Sequence, residues 1–212
     1  MAVLTAPRDQ AIRSREHNGP RSGYTGPMVT LLRTTLAEYL AMEETKPYSE
    51  LINGEVTQKT MPSPDHSACV IQLTFEFKSY LNQTHEARVD TEMRHADINE
   101  ERGYLPDVSV TLRSRFPQGQ RRGAVEIRPD IAVEVLSPDD RPGRVIEKVQ
   151  FYLRAGVPIT WVVDPEGEAI VEYRPGMEFV RHTAPAVIDA QPVLRAFSLD
   201  VGRFFQIVHG ED

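Results

Sequence analysis

The sequence predicts a mixed α/β fold, an α+β arrangement of helices on one mixed sheet, and three features of the 212-residue chain point to it. Apolar spacing switches repeatedly between a two-residue and a three-to-four-residue period, so strands and helices are interleaved without a regular strand–helix alternation. Two segments, residues 106–111 (PDVSVT) and 129–137 (PDIAVEVLS), alternate so that each is apolar on one side and acidic on the other. Hydrophobic residues make up 40% and charged residues 26%, which suits a globular protein with a sizeable core.

Residues 1–27 lack periodicity and are rich in Gly, Pro, Arg and Ser, so a disordered arm is expected there, followed by one domain over 28–212. Thr34 or Thr35 can cap a short helix reaching Met42, with Leu36, Tyr39 and Leu40 on its apolar side. Residues 48–58 form two short alternating runs around Asn53-Gly54, a strong hairpin signal. After Pro62 and Pro64, a helix can start at Asp65 or Ser67 and run to Asn82, burying Val70, Leu73, Phe77 and Leu81. Three strands are expected at 88–94, 107–112 and 130–136, then a helix over 145–155 with Val145, Val149, Tyr152 and Leu153 inward. Gly156 and Pro158 end that helix. A strand at 159–163 and a hairpin of 169–173 with 178–182 follow, and the apolar stretch 197–208 should pack back on the domain.

No apolar run approaches the roughly 20 residues of a membrane span. The N-terminus lacks the apolar core of a secretory signal, and the single Cys69 allows no internal disulfide, so a cytoplasmic protein is expected. The net charge of −7 runs against a broad nucleic-acid-binding surface, although acids that hold a divalent ion contribute to such a total.

The two acid-bearing strands carry the chemistry. Asp107 shares a face with Ser109 and Thr111, and Glu134 shares one with Asp130 and Ala132. If the strands pair antiparallel with Leu112 opposite Pro129, Asp107 falls opposite Glu134, with Cβ atoms about 4.5–5.5 Å apart. Two like charges that close are unfavourable unless a cation lies between them, so the pair reads as a clamp for a divalent metal. Asp130 is four strand residues from Glu134 and is expected to cap its strand or bind a neighbouring group instead. Lys148, on the helix that follows, is either a solvated lysine or the positive partner of the acids, with Tyr152 one turn on.

Residues 48–55 (YSELINGE), His66, LPDVSV at 105–110, PDIAVEVLSPDDR at 129–141, EKVQFYLRAGVPITWVVDP at 147–165 and IVEYRP at 170–175 together resemble the Uma-type restriction endonuclease family of the PD-(D/E)XK nuclease superfamily. The similarity runs from about Leu31 to the C-terminus, and the stretch from Glu134 to Pro165 is its most specific part. It implies a PD-(D/E)XK restriction-endonuclease-like core with an N-terminal hairpin, and a metal-dependent endonuclease acting on nucleic acid, most naturally DNA. Asp107 then matches the PD aspartate and Glu134 the second metal ligand, with Mg²⁺ or Mn²⁺ as the cofactor. The lysine normally two residues after that acid is replaced here by Leu136, so the resemblance implies that Lys148 has taken over its role. Glu50 falls on a family position as a further metal ligand or a plain hairpin acid. His66 and Tyr152 are supporting residues or packed ones, and Trp161 belongs to the core. Arg113, Arg115, Arg121, Arg122 and Arg128 crowd the loop between the acid-bearing strands; they would grip phosphates away from the cut or simply be solvated. A homodimer would let two sites address both strands. The alternative of a different class is a catalytically silent nucleic-acid- or protein-binding domain on the same fold.

Overall fold

Thr35 starts the first helix, α1 (Leu36–Ala41), through a capping box: its hydroxyl accepts from the Glu38 amide while the Glu38 carboxylate accepts from the Thr35 amide. The computed structural model describes residues 33–176 and 179–211; the arm expected over 1–27 and the strand start at Glu178 lie outside them. The hairpin of β1 (Ser49–Ile52) and β2 (Glu55–Gln58) closes on Asn53 and Gly54, both with positive φ (52° and 78°), the backbone that a two-residue turn matching strand twist requires. Its register pairs Glu50 with Thr57, and the Lys59 amide extends the ladder to the Tyr48 carbonyl at 2.8 Å. Ser63 then caps α2 (Pro64–Thr84) at the His66 amide, with Pro64 in the first turn where its missing N–H costs nothing.

The strands β3 (Ala87–Thr91), β4 (His95–Asp97), β5 (Arg102–Tyr104), β6 (Val108–Leu112) and β7 (Ile131–Val135) follow. Next come α3 (Pro142–Arg154), β8 (Ile159–Asp164), β9 (Ala169–Tyr173) and β10 (Val180–His182). A last hairpin, β11 (Val187–Ala190) with β12 (Leu194–Asp200), leads into α4 (Val201–His209). Six strands form a mixed sheet in the order β10-β9-β8-β7-β6-β3, in which only β7 and β8 are parallel, joined by the α3 crossover. β6 and β7 pair antiparallel with Val108 opposite Val133 and Val110 opposite Ile131, the register expected from the sequence.

One face of this sheet carries the main core. Leu73, Phe77 and Leu81 of α2 meet Val108, Val110, Ile131, Val133 and Trp161, and α4 closes the layer with Phe204 and Phe205. Phe197 stacks on Phe77 at 4.7 Å, so the C-terminal stretch does pack back.

The short strands β4 and β5 were not expected. They join the hairpin in a second sheet, β2-β1-β5-β4, covered by α1 through Leu36 and Tyr39. Three residues each are too few to display alternation. Their consequence is large, because Tyr104 of β5 meets Phe151, Tyr152 and Val157 on the far face of the six-stranded sheet. α3 is therefore buried on two sides. Phe151, not among the residues expected to face inward, is fully buried, with the Arg102 guanidinium 4.2 Å above its ring.

Candidate functional site

Alternation along β6 and β7 sends Val108, Val110, Ile131 and Val133 to the α2 side and the acids to the other. Continuing the register one step beyond Val108 and Val133 sets Asp107 opposite Glu134 at the end of the two strands. Asp107 is pinned there: its Oδ2 accepts from the Val135 amide at 2.7 Å. Lys148 arrives from α3, where Val145, Lys148 and Tyr152 fall on one side of the helix. Its ammonium lies 2.7 Å from Glu134 Oε2 and 3.1 Å from Glu50 Oε1. The Tyr152 hydroxyl donates to Glu134 Oε1. Asp107, Glu134 and Lys148, far apart in sequence, thus line one cavity of about 300 Å³ together with Glu50 and His66.

The supporting residues have distinct partners. Glu50 Oε1 also accepts from the Leu105 amide at 2.9 Å, so its direct bonds are to Lys148 and backbone. His66 Nε2 stands 3.3 Å from Asp107 Oδ2, while its buried Nδ1 has no partner among the described residues. Asp130 sits at the opposite end of β7. It accepts from the Leu112 amide at 2.8 Å and pairs with Arg115, which is the capping role expected of it.

Lys59 was not singled out from sequence, yet its ammonium is 2.6 Å from Asp107 Oδ1 and 3.0 Å from the Leu105 carbonyl. A signal did exist. The hairpin around Asn53-Gly54 sets Tyr48 opposite Lys59 and Glu50 opposite Thr57, so Lys59 and Glu50 share a face. The arginine-bearing loop, expected to lie away from the cut, folds back. The Ala96 amide donates to the Val125 carbonyl at 2.9 Å, drawing the loop against β4. Arg121 and Arg122 consequently line a second cavity of about 520 Å³ that shares Glu92 with the first.

The buried charges set one another's ionisation. Burial alone would raise the Asp107 carboxyl, but Lys59, then His66 and Lys148, hold it below the usual carboxylate range. Burial pushes Glu134 up to about 6 against the pull of Lys148, and Asp107 adds to the rise. Burial would lower Lys148, yet Glu134, Glu50 and Asp107 raise it above its ordinary value. Three carboxylates face two ammonium groups here, and the ionised form of Glu134 is the least comfortable of them.

Among the described residues no three acidic, histidine or cysteine side chains converge closely enough to enclose an ion by themselves. The donor chemistry nevertheless fits a hard cation. Asp107 and Glu134 offer carboxylate oxygens on one wall, and Mg²⁺ commonly binds through one or two carboxylates while keeping several waters. A divalent charge would also offset the burial, and the Asp107 charge, that hold Glu134 up.

Comparison with known proteins gives the family and the fold. The model of the Uma2 family, described as "Putative restriction endonuclease", matches residues 36–202. A crystal structure from Anabaena variabilis ATCC 29413, described as "a putative nuclease belonging to DUF820", has a TM-score of 0.74 at 30% identity. That match covers 82% of this chain and 98% of the other. A chain in the cryo-EM structure of a DrdV–DNA complex matches at 9% identity with a TM-score of 0.28, over 68% of this chain and 14% of that one, and supports no conclusion. No curated protein matches the chain. The fold is thus a restriction-endonuclease-like α/β core carrying an N-terminal hairpin. Among the described residues no helix is long and apolar enough to cross a membrane.

Proposed function

The chain belongs to the Uma2 family, and from that premise we propose that it is a metal-dependent endonuclease hydrolysing phosphodiester bonds of DNA. The observation that carries this reading is the meeting of Asp107, Glu134 and Lys148 in one cavity at the end of β6 and β7. Asp107 and Glu134 would hold Mg²⁺ or Mn²⁺, with Glu50 behind Lys148 rather than on the ion. When bound, the ion would polarise a phosphoryl oxygen and make a water more acidic.

The rest of the chemistry falls to the chain. Lys148 stays protonated between its acids and would offset the charge that builds on phosphorus as water adds and the leaving oxygen departs. Glu50 and the Leu105 amide fix where that ammonium can reach. Tyr152 holds the Glu134 carboxylate in one orientation, and the Val135 amide does the same for Asp107. Arg141 and Arg144 line the same cavity without an ion-pair partner among the described residues, so they are suited to flanking phosphates.

Labelled plasmid and single-stranded DNA, incubated with Mg²⁺, Mn²⁺ or EDTA, test the proposal. Cutting should need metal and should fall at least about a hundredfold in both Asp107→Ala and Lys148→Ala, the scale of losing a transition-state contact. Cutting that survives Lys148→Ala alone would remove the lysine from the mechanism. A silent binding domain is the second reading, favoured by one observation: both oxygens of Asp107 and of Glu134 already have protein donors. It predicts DNA binding with neither cutting nor Mn²⁺ binding.

A further inference from the structure

We propose that Lys59 is a stand-in cation that holds Asp107 Oδ1 in the metal-free protein and must leave that oxygen before a divalent ion can bind. The inference rests on the reading of Asp107 as a metal ligand. It goes beyond that reading by assigning control of metal affinity to a residue outside the acid–lysine set.

The two oxygens of Asp107 are served differently. Oδ2 is held by framework: the Val135 amide of β7 at 2.7 Å and the His66 ring, from the first turn of α2, at 3.3 Å. These contacts aim the carboxylate and have no reason to change when an ion arrives. Among the described residues, Oδ1 has a single donor, the Lys59 ammonium at 2.6 Å. Lys59 follows the last residue of β2 and reaches inward on a four-carbon stem, with the Leu105 carbonyl at 3.0 Å as its only other hydrogen-bond partner among those residues. A few side-chain rotations release it without disturbing the sheet.

Lys148 is placed otherwise. It sits on Glu134 Oε2 and Glu50, whereas Glu134 Oε1 accepts from the neutral Tyr152 hydroxyl, so Lys148 can stay while an ion enters. Lys59 cannot, because Mg²⁺ sits about 2.0–2.1 Å from its oxygen ligands, closer than the ammonium does, and two cations on one oxygen repel. Its side chain is only 13% exposed, so bulk water screens that repulsion poorly. Metal binding is therefore an exchange at Asp107 Oδ1, and the strength of the outgoing Lys59 contact lowers the observed affinity for the incoming ion.

Calorimetric titration with Mn²⁺ of the wild type, Lys59→Met, Lys59→Gln and Asp107→Ala tests this, with thermal melts in EDTA and in saturating Mn²⁺ alongside. The Gln variant keeps an uncharged donor for the Leu105 carbonyl and carries the test if the Met variant does not fold. Both Lys59 variants should bind Mn²⁺ about tenfold tighter or better, the effect of removing a competing like charge. Both should melt lower than wild type in EDTA and regain more on adding Mn²⁺ than wild type does. If wild type binds Mn²⁺ through Asp107 and the Lys59 variants bind it equally or more weakly, Lys59 is merely a structural counter-ion and the inference falls alone. If no variant and no wild type binds Mn²⁺, or binding survives Asp107→Ala, the metal-site reading falls and takes the inference with it.

Discussion

At the scale of single residues, His95 shows most clearly how burial decides chemistry here. It is fully buried, stacked on Tyr104, and its Nδ1 lies 2.8 Å from the Ile127 carbonyl. A carbonyl only accepts, so that nitrogen carries the proton and Nε2 is left facing the Ser109 hydroxyl at 3.4 Å. Burial pushes the imidazole down to about 4. The unfolded chain takes up the proton near its ordinary value of about 6.5, whereas the native one resists until about 4. The unfolded state therefore binds more protons across that window, and stability is full above it and lost as pH falls through it. The loss should approach about 3 kcal/mol by pH 4. Urea unfolding of wild type and His95→Gln at a series of pH values checks this, since the variant should lack that part of the slope. The same rule makes Cys69 inert: burial raises its thiol to about 12, so alkylation of the native protein should be slow.

At the scale of elements, the small sheet and α1 act as one clamp over the hairpin that carries Glu50 and Lys59. Gly103 of β5 lies under the Tyr39 ring, and a Cβ there would stand 2.3 Å from it. Tyr39 cannot simply move away, because its hydroxyl donates to the Ser49 carbonyl at the head of β1. Gly103→Ala should destabilise the protein by about 1–3 kcal/mol through overpacking. Combined with Tyr39→Ala it should cost less than the two single changes summed, because the clash disappears with the ring. Equilibrium denaturation of the two single variants and the double variant measures that difference. α3 shows the complementary effect. Its sequence pattern foretells the burial of Val149 and Tyr152, whereas the burial of Phe151 depends on β5, which arrives from 47 residues earlier in the chain (104 to 151).

Across the whole molecule, a net charge of −7 leaves little general attraction for DNA, so binding has to be local. Leaving His66 aside, the ion-paired cluster of Asp107, Glu134, Glu50, Lys59 and Lys148 sums to −1, and one divalent ion would turn that to +1. DNA affinity should accordingly depend on the ion before any bond is cut. Fluorescence anisotropy with a labelled duplex in Ca²⁺ and in EDTA should differ by at least about tenfold, the consequence of reversing the sign at a buried site. Equal affinity in both would assign binding to the rim arginines, Arg121, Arg122, Arg141 and Arg144, and separate it from the metal.

Alternation, from the sequence alone, defined the sheet faces, and the antiparallel register supposed for β6 and β7, which puts Asp107 opposite Glu134, is the one the structure has. These are consequences of local periodicity, which a strand writes into its own residues. Capping and turn chemistry were legible for the same reason at Thr35 and Asn53-Gly54, whereas α2 is capped by Ser63, ahead of the expected start at Asp65 or Ser67. The tertiary structure alone decided that β4 and β5 complete a second sheet, that the arginine loop folds back beside the site, and that Lys59 sits on Asp107. Each of those depends on partners brought from elsewhere in the chain. A three-residue strand carries no periodicity, and the hairpin register gives the face of Lys59 but not its partner, so the packed neighbours specify what each touches.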